Sequence, residues 1–94
     1  MVANDLYAQL AARIMKEQRA IIGPIALEQA KKVSGLEIVS EGDIKISGNA
    51  KDVLDSLVNR YAKLFGQASI EVCKEAVRLA KTEISKDDLP AILQ

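Results

Sequence analysis

Ala20-Ile21-Ile22-Gly23-Pro24-Ile25-Ala26-Leu27 is a stretch of eight residues without a charge, and a Gly-Pro step interrupts its helical character. Proline lacks an amide donor and has a fixed φ, so it suits the first position of a helix and disrupts a helix interior. Pro24 therefore predicts the start of a helix, with Gly23 as the cap before it. The large aliphatic residues are too many to lie on one narrow stripe of a helix. We therefore expect this corner to be buried on more than one side, by this chain or by another molecule.

The corner joins two predicted helices. The first begins with Asn4 as its N-cap, and its apolar residues recur with helical spacing. Its predicted apolar face comprises Leu6, Tyr7, Leu10, Ile14 and Ile21. Its predicted solvent-exposed face comprises Arg13, Lys16, Glu17, Gln18 and Arg19. The second helix runs from Pro24 to about Val33, buries Ala26, Ala30 and Val33, and stops at Ser34-Gly35 because glycine readily adopts the left-handed conformation.

Between Leu36 and Ser47 the pattern changes to alternating apolar and polar residues. Ser40-Glu41-Gly42-Asp43 has turn chemistry, so the segment predicts a short β-hairpin near residues 36–47. The alternative is an irregular loop that buries Ile38, Ile44 and Ile46 in the core. Since a two-stranded ribbon is marginally stable by itself, we expect the hairpin to pack on the helices or to extend across a dimer interface.

Two further helices complete the pattern. Asn49 caps the third, with Asp52 three residues later, and Gly66 predicts a break before the fourth. The stripe of the third helix comprises Val53, Leu54, Leu57, Val58, Tyr61 and Phe65. The inner side of the fourth comprises Ala68, Val72, Cys73, Ala76, Val77 and Ala80. Ser85 predicts the cap of a last short turn that carries Leu89, Ile92 and Leu93.

The composition fits a small helical protein. The chain has 94 residues, of which 49% are hydrophobic and only 3% aromatic, so leucine, isoleucine, valine and alanine must build the core. We expect one helical domain over residues 1–94. The predicted fold class is mainly α, a compact bundle of four to five short helices with one short β-hairpin near residues 36–47.

The net charge and the number of cysteines limit which classes of partner and which cellular compartment are expected. Thirteen basic and thirteen acidic residues cancel, so binding to nucleic acid or to an anionic membrane surface is not expected. The longest uncharged stretch falls far short of the roughly 18 apolar residues of a membrane span. A single cysteine, Cys73, excludes an internal disulfide, so we expect a cytoplasmic protein.

The sequence offers little chemistry for catalysis. It contains no histidine, the usual general base and the commonest metal ligand, and no glycine-rich phosphate-binding loop. Cys73 lies on the inner side of its helix and is interpreted as a core residue. Glu41, Asp43 and the Asp87-Asp88 pair are interpreted as turn or cap residues. We therefore predict no enzyme activity, no catalytic, cofactor-binding or metal-binding residues, and no cofactor.

Two segments resemble known proteins. Residues 74–93, KEAVRLAKTEISKDDLPAIL, resemble the end of a histone fold, in which a long central helix precedes a short strand-like loop and a capped final helix. That resemblance implies a histone-like, nucleic-acid-associated protein or a pairing module, although Gly66-Gln67 stands where the family has an unbroken middle helix. Residues 22–26, IGPIA, are similar to a step in small helical modules at the ends of prokaryotic signalling proteins, which favours an interaction module.

We therefore interpret the chain as a small soluble protein–protein interaction or oligomerisation module, with a homo-oligomer or a protein as its partner. A symmetric homodimer is the commonest arrangement. The predicted interface residues are Leu10, Ile21, Ile22, Ile25 and Leu27. The alternatives are the histone-like protein and a carrier of a small apolar ligand between helices.

Overall fold

The computed structural model describes residues 4–40, 43–80, 89 and 93. In chain order these residues form helices α1 (Asn4–Ile22) and α2 (Ile25–Ala30), strands β1 (Leu36–Ser40) and β2 (Asp43–Ile46), and helices α3 (Ala50–Phe65) and α4 (Gln67–Ala80). The protein is mainly helical with one antiparallel hairpin, which confirms the predicted fold class.

Helix α1 organises the packing, because it contacts the other three helices and β2. Tyr7, Leu10 and Ile14 are buried on the predicted face. Two assignments on α1 are wrong. Ile21, which was predicted on the apolar face, is largely exposed. Gln18, which was predicted on the solvent-exposed face, is only 1% exposed. Gln18 is buried because α4 packs against this part of α1 and presents hydrogen-bond acceptors to it.

Helix α2 is shorter than predicted. It ends at Ala30 rather than near Val33, and the chain continues through turns to Gly35, which has a positive φ of 86°. Ala26, Ala30 and Val33 are buried, as predicted. A Cβ at position 35 would lie 2.8 Å from Val53 Cγ2, so glycine is required there both for its φ and for the space.

The hairpin between residues 36 and 46 is confirmed, although its register shifts after Ile38. Leu36 pairs with Ile46 and Ile38 with Ile44, but Ser40 then pairs with Asp43. Val39 is therefore an extra residue on β1, as in a β-bulge, and its side chain is 57% exposed. Residues 41 and 42 of the predicted turn lie outside the described residues.

Helix α3 agrees most closely with its prediction. The Asn49 side chain accepts a hydrogen bond of 3.1 Å from the Asp52 amide, so the predicted cap is confirmed. The helix ends at Phe65, and Gly66 follows with a φ of 83° and donates its amide to the Ala62 carbonyl. The predicted stripe is buried at Val53, Leu54, Leu57, Val58 and Tyr61, and Phe65 packs partly buried against the core.

Helix α4 begins directly after this break and packs against α1 and α3. Cys73 and Ala76 are buried as predicted, but Ala68 is exposed and its neighbour Ser69 is buried instead. The break at Gly66 replaces the long unbroken helix that the histone resemblance implies. The predicted cap at Ser85 and most of the last turn lie outside the described residues. Leu89 and Leu93, which the structure does describe, are buried.

Candidate interaction surface

The Gly-Pro corner is a tight junction between two helices. Gly23 has a φ of 78° and donates its amide to the Arg19 carbonyl over 2.9 Å, which ends α1 in the manner of a C-terminal glycine. Pro24 has helical dihedral angles and its carbonyl accepts from the Leu27 amide, but it occupies the N-cap position, and α2 begins at Ile25, one residue later than predicted. Gly23 thus acts mainly as the end of the first helix, whereas the sequence predicted a cap of the second.

The five predicted interface residues have different environments. Leu10 is completely buried in the core, so it has no surface for a partner, and we remove it from the predicted interface. Ile22 and Leu27 are partly buried and pack against the core. Ile21 is 64% exposed and Ile25 is 39% exposed. These last two isoleucines, one on each side of the junction, are called the corner surface below.

Buried polar side chains hold the corner from the inside. Gln18 Nε2 donates to the Ser69 carbonyl over 3.0 Å and lies 3.3 Å from Cys73 Sγ, which joins α1 to α4. The Tyr61 hydroxyl donates to the Ala26 carbonyl over 2.7 Å, which joins α3 to α2. Because buried polar groups are costly when unpaired, these contacts favour one arrangement of the helices around the corner.

The acidic groups of this network stay protonated at neutral pH. Burial raises the pKa of the Cys73 thiol to about 11, an effect that the hydrogen bond from Gln18 partly offsets. Burial also raises the pKa of Tyr61, and the nearby Cys73 raises it further. A thiol that is buried and protonated is a poor nucleophile, so Cys73 serves the packing of the core, as the sequence predicted.

The carboxylates that the sequence analysis considered do not form a site among the described residues. Asp43 is exposed on β2, and its predicted companion Glu41 lies outside the described residues, as do Asp87 and Asp88. No group of three or more cysteine or acidic side chains that could hold a metal ion occurs within the described part of the chain.

Two exposed aliphatic residues were absent from the predicted interface. Leu64, in the last turn of α3, is 51% exposed, and Val39 on β1 is 57% exposed. Leu64 lies seven positions after the buried Leu57 and so shares its side of α3, and its position in the last turn, two residues before Gly66, is the signal that could have identified it as exposed. Val39 is exposed at the register shift of the hairpin, which residue spacing does not reveal.

Comparison with known proteins adds no relative to this description. No protein-family model, no curated protein and no solved structure matches the chain. Within the described residues, no helix is both long enough and apolar enough to cross a membrane.

Proposed function

We propose that this chain is a protein–protein interaction or oligomerisation module without catalytic activity, and that the corner surface makes the contact. The observation that carries the proposal is the exposure of two isoleucines on either side of one helix junction, 64% for Ile21 and 39% for Ile25. Apolar surface that remains exposed in the folded chain is removed from water when a partner covers it.

The construction of the corner suits binding. The contacts of Gln18 with α4 and of Tyr61 with Ala26 fix the helices that carry Ile21 and Ile25. A surface held in one arrangement before binding loses little conformational entropy when a partner docks. The uncharged sequence of residues 20–27 also avoids the desolvation of charged groups at the centre of an interface.

The proposed partner is a second copy of this chain or another protein, and the proposed compartment is the cytoplasm. The single cysteine supports a reducing compartment, and the net charge of zero gives little support to nucleic-acid binding. A gel-shift assay with duplex DNA at low salt tests the histone-like alternative. A complex that weakens steeply with added salt would favour that alternative over a protein partner.

Affinity purification from the source cells tests the proposal. Tagged wild-type chain is compared with the double variant Ile21→Ser/Ile25→Ser, and an untagged copy is co-expressed so that self-association is detected. We expect the double variant to lose a co-purifying protein or the untagged copy, because a central apolar contact contributes about 2 kcal/mol or more of binding free energy.

Val39→Ser is the matched control, since the exposure of Val39 lies between those of Ile21 and Ile25 but Val39 belongs to the hairpin. Circular dichroism melting verifies that each variant folds. If wild type and the double variant retain the same proteins and the same amount of untagged copy, the corner surface is not a binding surface. That result would refute the proposed function.

A further inference from the structure

We draw no further inference here: the strongest candidate, the exposed apolar patch of Ile21, Ile25 and Leu64 at the end of the fold that carries the helix junctions at Gly23 and Gly66, carries nothing beyond the proposed function, because nothing in the structure shows what covers it.

Discussion

Substituting Tyr61 by phenylalanine removes one hydroxyl from the interior and tests the contact that holds α2 in place. Tyr61 is completely buried, and its hydroxyl donates to the Ala26 carbonyl over 2.7 Å. Ala26 belongs to α2, where a helical carbonyl also accepts within the helix, so the substitution should not leave that carbonyl without a partner. The expected loss is then that of one neutral hydrogen bond, about 1 kcal/mol of unfolding free energy.

This loss has a global and a local consequence. For a domain of this size, about 1 kcal/mol lowers the melting temperature by about 4–8 °C, which circular dichroism measures directly. Locally, α2 has only six residues and a helix that short depends on packing for its stability. We therefore expect amide hydrogen exchange in α2 to accelerate by up to about fivefold, as a loss of 1 kcal/mol implies.

Two results would refute the reasoning about Tyr61. An unchanged melting temperature together with unchanged exchange in α2 would mean that the hydroxyl does not stabilise the α2–α3 contact. A loss above about 3 kcal/mol would exceed a single neutral hydrogen bond and would mean that the hydroxyl supports a larger part of the core. Hydrogen exchange followed by mass spectrometry at fixed pH distinguishes a local from a global effect.

Four further substitutions test the fold, the first of them through the dependence of stability on pH. Burial raises the pKa of Cys73 from 9.0 to about 11, so the unfolded chain loses this proton first and the unfolding free energy should fall between pH 9 and 11. Denaturant titrations should show that fall, up to about 2.7 kcal/mol, and a shallower one in Cys73→Ala. Gly23→Ala should lower the unfolding free energy by about 1–2 kcal/mol, because residue 23 has a positive φ, although no other atom lies close to the position of an added Cβ. Gly35→Ala should cost at least about 1 kcal/mol more by urea denaturation, since its Cβ would lie 2.8 Å from Val53 Cγ2. Asn49→Ala should lower the unfolding free energy by about 1 kcal/mol through loss of the helix cap, and an unchanged urea midpoint would contradict the capping role.

Elements with strong local signals were predictable from the sequence. The cap at Asn49, the buried stripe of α3 and the break at Gly66 all occur as expected, because each depends on a few neighbouring residues. The hairpin was likewise identified from its alternation, but not its register shift at Val39. A shift depends on the pairing of two strands across a turn, and alternation along either strand does not specify it.

The buried polar network was not predictable from spacing. Periodicity assigns a polar side chain such as Gln18 to the solvent, and that assignment fails when a neighbouring helix supplies acceptors. The sequence of α4 has a buried serine and cysteine at this contact, whose small side chains leave room for a glutamine. Neither helix alone indicates the contact, because the residues involved are more than fifty positions apart.

The exposure of Ile21 has a related cause. Gln18 and Ile21 are three positions apart on α1 and lie on nearly the same side of the helix, yet one is 1% and the other 64% exposed. Gln18 meets the third residue of α4, so little of α4 remains to cover the last turn of α1. Periodicity indicates which side of a helix faces inward, but not where the neighbouring helix ends.

The end of the fold that carries the helix junctions at Gly23 and Gly66 therefore reverses the usual distribution of side chains. Its polar groups, the Gln18 amide and the Tyr61 hydroxyl, are satisfied inside the fold, while Ile21, Ile25 and Leu64 contact solvent. Burying paired polar groups favours a single arrangement of the four helices, whereas leaving aliphatic groups in water gives no stability to the monomer. A partner that covers this end gains the apolar contribution that the monomer leaves unused, without first having to order the helices that carry it.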